Sequence, residues 1–131
     1  MTRASIFRNV FFVLLGVTAL VLKSHYSGSF REIVYSYGGN VSVSFAVYFI
    51  ILISMFGQRF GRLATAGIAI FVLELFEVTN GFGVMTNVYD QFDLVANAMG
   101  VGLALAIDTA VSKINKQKMS RCEPIASKTA E

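Results

Sequence analysis

The stretch that decides the fold is Glu74 to Asp108, ELFEVTNGFGVMTNVYDQFDLVANAMGVGLALAID. It holds two apolar segments joined by a turn that contains no basic residue. Glu74 and Glu77 stand near the end of the first segment, and Asp93 and Asn97 near the start of the second. Carboxylates inside apolar helices are expensive to keep away from water, so such positions are read as functional sites by default.

The rest of the chain places this stretch in a membrane. Of 131 residues, 55% are hydrophobic and 15% charged, and the mean hydropathy is +0.64. A soluble domain of this size carries about 25% charged residues. Apolar segments fall at about 7–23, 37–57, 61–79 and 92–112. A helix crossing the hydrocarbon core needs about 20 residues, with a lower limit near 17. Flanking residues such as Arg8 and Lys23 extend the first segment by snorkelling. The expectation is an all-α membrane protein with four transmembrane helices in residues 1–112. Residues 113–131 follow as a basic tail, expected to be cytoplasmic and disordered. A soluble helical bundle is the alternative, because short apolar runs also form buried core helices.

Charge placement orients the helices. Nine of the eleven Lys and Arg residues lie at the N-terminus (Arg3, Arg8), around residues 57–62 (Arg59, Arg62), or in the tail from Lys113 onward. Only Lys23 and Arg31 occupy the other two loops. The positive-inside rule then puts both termini in the cytoplasm, with 24–36 and 80–91 outside. The first segment also has the basic start of a signal peptide, but Lys23-Ser24-His25-Tyr26 lacks a small-x-small cleavage pattern, so an uncleaved helix is expected. The chain has no Trp, and Tyr26, Tyr35, Tyr37 and Tyr89 are the candidates for an interfacial belt. The net charge of +3 follows this segregation and forms no nucleic-acid-binding patch. A lone cysteine, Cys122, excludes an internal disulfide and a cysteine metal site. No pair of histidines offers a transition-metal site either, and no cofactor is expected.

Residue counting brings the acids together. From a midpoint at Thr86, Glu77 is nine residues away and Asp93 seven, while Glu74 is twelve and Asn97 eleven. In an antiparallel hairpin, similar counts mean similar depth, with the second pair roughly 5 Å deeper. Glu74 and Glu77 share a helix face at i and i+3. Asp93, Asn97 and Gly100 form one stripe, and Ala96, Gly100 and Ala104 a small-residue row beside it. Ala98, Gly102 and Ala106 form another. Such rows let helices approach closely in lipid, so a tight contact between the third and fourth helices is expected. Three carboxylates cannot all ionise cheaply in one place. Either some stay protonated, or a cation or amine completes the site, with Lys23 or Arg31 as internal candidates. Asp90 and Asp93 also fit plain interfacial residues, Asp93 favouring its helix N-terminus. Asp108 is expected at the cytoplasmic end, neutralised by the lysines that follow it.

These motifs resemble the VanZ-like family of small bacterial membrane proteins. Its pattern is an acid followed three positions later by Gln, then a short loop and Asp-x-x-x-Asn-x-x-Gly. Here Glu74-Leu75-Phe76-Glu77 has Glu in place of the Gln, and Asp93-Leu94-Val95-Ala96-Asn97-Ala98-Met99-Gly100 matches throughout. Ser44 stands four residues before Tyr48, where the family often has His. The family's named member accompanies glycopeptide (teicoplanin) resistance, so the resemblance implies a bacterial cytoplasmic membrane location and a link to the cell envelope.

The leading expectation is therefore an envelope membrane protein that binds a polar component through Glu74, Glu77, Asp93 and Asn97. Alternatives are a small oligomeric proton- or cation-coupled transporter and a structural subunit of a larger membrane complex. Expected partners are membrane lipids, with a second copy or another membrane protein as further candidates, and no nucleic acid. Paired carboxylates can serve as acid and base, but no nucleophile or cofactor motif accompanies them, and no catalytic residue is assigned.

Overall fold

The computed structural model describes residues 3–79 and 91–122, and among them the chain is helical, without strands. Four helices follow one another: α1 (Arg3–Leu22), α2 (Arg31–Ile53), α3 (Met55–Val78) and α4 (Gln91–Cys122), with a short 3₁₀ turn at Lys23–His25 after α1. Among the described residues, three stretches are long and apolar enough to cross a membrane: Arg3–His25, Arg31–Ile53 and Gln91–Lys118, with mean hydropathies of 2.0, 1.6 and 1.7. The exception is α3, which carries Arg59 and Arg62 toward one end and Glu74 and Glu77 toward the other.

The apolar side chains face outward as well as inward. Phe7, Phe11, Leu14 and Leu22 of α1, Phe71 and Phe76 of α3, and Met99 and Leu103 of α4 are all exposed. Only Asn9 and Gly16 of α1 are buried. Large exposed apolar surface of this extent is incompatible with a water-facing bundle and natural for one facing lipid.

The interior is organised by α2, which packs against each of the other helices. Phe45, Tyr48, Phe49 and Leu52, at helical i, i+3, i+4 and i+7 spacing, meet Ala66, Ala69 and Leu73 of α3 and Val101 and Ala104 of α4. Phe12 of α1 closes the core, stacking on Phe49 at 4.8 Å between ring centroids and meeting Phe45 edge-on at 6.3 Å. Hydroxyls within the helices bond back to the carbonyl four residues earlier, as Ser42 does to Gly38 (2.7 Å) and Thr65 to Gly61 (2.7 Å). This satisfies them where water is absent.

The boundaries depart from the sequence expectation in three places. Helix α2 begins at Arg31, not near 37, and so runs through Gly38-Gly39. A β-carbon on Gly39 would lie 2.4 Å from Lys23 Nζ, a contact the flexible lysine side chain can relieve. Helix α4 continues ten residues past 112 to Cys122, because no Gly or Pro interrupts 103–122 and its lysines and glutamine are good helix formers. Finally, Ser54 separates α2 from α3, and α3 is broken at Gly61 (φ 79°, ψ 175°), a left-handed backbone that glycine alone adopts cheaply. The chain re-enters helix at Arg62. The piece from there to Val78 is about 25 Å long at 1.5 Å per residue.

Candidate functional site

Buried positions on α4 form one continuous stripe: Asp93, Ala96, Asn97, Gly100, Val101, Ala104 and Asp108. An aspartate stands at each end, and each anchors a polar cluster. The two are separated by fifteen residues of helix, about 22 Å.

At the first end, α2, α3 and α4 bring together Asn40, Ser44, Glu74, Glu77, Asp93 and Asn97. Asn97 is the hub and is only 1% exposed. Its amide nitrogen donates toward Glu74 Oε1 at 3.4 Å and Glu77 Oε1 at 3.5 Å. Its oxygen accepts from the Ser44 hydroxyl at 2.6 Å, which shares its single proton with the Asn40 carbonyl at 2.5 Å. Asn40 Nδ2 donates to Asp93 Oδ1 at 2.6 Å, and Asp93 is 8% exposed. Every one of these partners is neutral. Among the described residues no Lys, Arg or His pairs with Glu74, Glu77 or Asp93, and residues 80–90 contain no basic residue. The two glutamate contacts are also long for hydrogen bonds.

The four sequence-predicted site residues thus share one cluster, and Asn97 reaches both glutamates. The internal counter-charges considered for them lie elsewhere. Lys23 Nζ donates to the Tyr35 carbonyl at 3.3 Å and sits 5.5 Å from the Tyr35 ring centroid. Arg31 makes no ion pair among the described residues. His25 Nδ1 is 3.2 Å from the Ser24 hydroxyl. Asp90 lies outside the described residues. Sequence reasoning left Asn40 and Ser44 out of the site, although their i, i+4 spacing repeats that of Asp93 and Asn97.

The small-residue row serves a different neighbour from the one expected. A β-carbon on Gly100 would lie 2.4 Å from the Val41 carbonyl oxygen and 2.8 Å from Ser44 Cβ, so α4 abuts α2 there and not α3. Ala96 also faces α2, lining a groove of about 440 Å³ with Tyr37, Val41, Phe92, Val95 and Met99. This apolar groove runs between α2 and α4, lined by Val41 and Phe92, the chain neighbours of Asn40 and Asp93, and by no carboxylate. Ala104 is fully buried in the core. The second row, Ala98, Gly102 and Ala106, is exposed on the outer face of α4.

At the other end, Asp108 is 1% exposed and carries one arginine on each oxygen. Arg8 Nη2 donates to Oδ1 at 2.9 Å and Arg62 Nε to Oδ2 at 2.5 Å. The neutralising cations therefore come from α1 and α3, not from the lysines that follow Asp108 in sequence. One carboxylate ties three helices together. Arg8 also donates to Asn9 Oδ1 through Nε and Nη2, at 3.2 and 3.1 Å, and Arg62 Nη2 donates to the Ser112 hydroxyl at 2.6 Å. The left-handed Gly61 turns the chain so that Arg62 can reach inward.

No family model matches the chain, and no match is found among curated proteins or solved structures.

Proposed function

We propose that the chain is a VanZ-like protein of the bacterial cytoplasmic membrane that spans it with four helices, keeps both termini in the cytoplasm, and binds an amine-bearing envelope amphiphile at the carboxylate cluster. The observation that carries this reading is the gathering of Glu74, Glu77 and Asp93 around Asn97 with neutral partners alone among the described residues. Three carboxylates gathered in one cluster, Asp93 buried and the two glutamates half-buried, favour a cation between them. An ammonium group, with three N–H donors, supplies charge and hydrogen bonds together. The apolar groove between α2 and α4 suits an acyl or prenyl chain on the same ligand. For α3, with about 25 Å of helix after Gly61, spanning requires Arg62 to sit at one interface and Glu77 at the other.

The test compares two lipids of equal net charge. Phosphatidylethanolamine donates N–H bonds and phosphatidylcholine cannot. Native mass spectrometry of the purified protein is expected to show preferential retention of phosphatidylethanolamine, reduced about tenfold in Glu74→Gln if a charge-assisted bond is lost. Equal retention of both lipids, or a preference untouched by Glu74→Gln and Asn97→Ala, would remove this reading.

A second reading, a small oligomer that moves protons or cations past Glu74, is favoured by the exposed Ala98, Gly102 and Ala106 row, where a second copy could pack closely. Sealed vesicles containing the protein would then carry a pH-dependent cation flux, and a flat response across pH counts against it.

A further inference from the structure

At the Asp108 end a cavity of about 420 Å³ opens among the helices, with Leu52 of α2 as its apolar wall and Ser5, Arg8, Arg62, Asp108 and Ser112 as its polar lining. Two guanidiniums face one carboxylate here, so the lining keeps one uncompensated positive charge. The arginines also keep donors in reserve. Each uses Nε and Nη2 on Asp108, Asn9 or Ser112, and Nη1 of both makes no hydrogen bond among the described residues. The Ser112 hydroxyl accepts from Arg62 and donates to none of the described residues, leaving its proton for another acceptor. The helix restarts at Arg62, which adds the positive end of its dipole beside the cavity. Among the described residues, two further buried polar atoms near this cluster, Asn9 Nδ2 and the Tyr48 hydroxyl beside Asp108, have no hydrogen-bond partner at bonding distance. The surplus is therefore one of donors and positive charge together.

We infer that this cavity binds a phosphate-type oxyanion, held by Arg8 and Arg62 opposite Asp108 and by the Ser112 hydroxyl. Guanidinium N–H groups form a planar fork that matches phosphate oxygens in pairs. A tetrahedral oxyanion accepts from three helices at once, and the cavity is large enough for the group and its substituent. Asp108 sets the limit on occupancy: it holds both arginines in position and leaves a single charge to be neutralised. The same chemistry is offered by an anionic phospholipid headgroup and by free phosphate. The position of the cavity at the basic end of the bundle brings it to headgroup level if that end faces the cytoplasmic leaflet.

The test uses the full-length protein in nanodiscs of phosphatidylcholine, with or without phosphatidylglycerol. Native mass spectrometry reads retained phosphatidylglycerol, and thermal unfolding in phosphatidylcholine alone reads inorganic phosphate against chloride at equal ionic strength. Ser112→Glu places a carboxylate where Arg62 Nη2 now meets a hydroxyl, which neutralises the surplus charge and leaves the Asp108 pairs intact. Ser5→Glu is the second variant, judged by the same readings should the first fail to fold. Lys118→Gln, on an exposed position of α4 outside the cavity, controls for general attraction of basic charge. Phosphatidylglycerol preference that falls about tenfold in the glutamate variant and stays within about twofold in the control supports the site with a lipid occupant. Stabilisation by inorganic phosphate in the wild type alone, without lipid preference, supports it with a soluble one. If neither ligand is preferred, if the glutamate variant behaves as wild type, or if Lys118→Gln loses as much, the cavity is no oxyanion site and the arginines only pin the helices.

Discussion

Replacing Gly100 by Ala tests the contact on which the carboxylate cluster is built. The added β-carbon would stand 2.4 Å from the Val41 carbonyl oxygen, where ordinary contact begins near 3.4 Å. The carbonyl belongs to helix backbone and cannot rotate away, so α4 and α2 must separate by the 1.0 Å difference between those two distances. That movement pulls Asn97 from Ser44, a hydrogen bond of 2.6 Å that becomes too long to count. Overpacking of this kind costs about 1–3 kcal/mol, and the lost buried bond about 1 kcal/mol more. The better helix propensity of Ala returns roughly 0.5–1 kcal/mol. The net expectation is a destabilisation of about 2 kcal/mol. Gly102, two residues on, is exposed with nothing within 4 Å of its β-position. Gly102→Ala keeps only the propensity gain and should stabilise by about 0.5–1 kcal/mol. Reversible unfolding in mixed micelles, followed by far-ultraviolet circular dichroism, measures both. Equal shifts for the two variants, or a more stable Gly100→Ala, would refute the packing of α4 on α2.

Asp108→Asn should destabilise the bundle by about 3 kcal/mol in the same assay, at the low end for a broken buried pair because the Arg62 side chain is 42% exposed; a change under about 1 kcal/mol would mean the arginines are already solvated. Asn40→Ala removes the 2.6 Å donor to Asp93 and should cost about 1.5–3 kcal/mol. In an Asp93→Asn background that cost should shrink, and a double-mutant cycle without coupling would separate the two residues. For topology, Ser27→Cys in a Cys122→Ser background should react with a membrane-impermeant maleimide in intact cells. Native Cys122 should react only after permeabilisation, and the reverse pattern would invert the orientation.

The helices themselves were legible because their signal is additive over many residues. Four apolar segments separated by charge appear at nearly the predicted places, and the depth count that matched Glu74 with Asn97 needs no more than antiparallel geometry and a 1.5 Å rise. Lateral neighbours were less legible. Gly100 reads as a small-residue contact, but a glycine does not say which helix approaches it, and the choice of α2 depends on Val41 and Ser44, more than fifty residues away. The same limit hid Asn40, whose partner Asp93 lies 53 positions downstream. For Asp108, sequence proximity points to the nearby lysines. Lys113, Lys116 and Lys118 lie on the exposed surface of α4 while Asp108 faces inward, so Arg8 and Arg62 on other helices reach both of its oxygens instead. The break at Gly61 that brings Arg62 inward is a backbone event, and a glycine next to an arginine does not announce it.

The two ends of α4 make a controlled comparison within one molecule. Both present an aspartate on the same buried stripe, at 8% and 1% exposure. At Asp108 the fold draws an arginine from each of two other helices, although those helices must be kinked or positioned to deliver them. At Asp93, Glu74 and Glu77 the carboxylates are three, and their described partners are two amides. Stability alone would favour the arginine solution at both ends, since an unpaired buried acid costs more than a paired one. Lys23, the internal counter-charge considered for these acids, instead spends its ammonium on a backbone carbonyl and the Tyr35 ring. The chain thus neutralises the acid that fastens three helices and leaves the other three acids bonded to amides alone among the described residues. An arrangement that withholds a counter-charge is the one a cationic ligand requires, because an internal arginine would have to be displaced before the ligand could bind. If the proposed amine binds at this cluster, Asp108→Asn should lower phosphatidylethanolamine retention together with bundle stability, and unchanged retention in the destabilised variant would show that the two ends act independently.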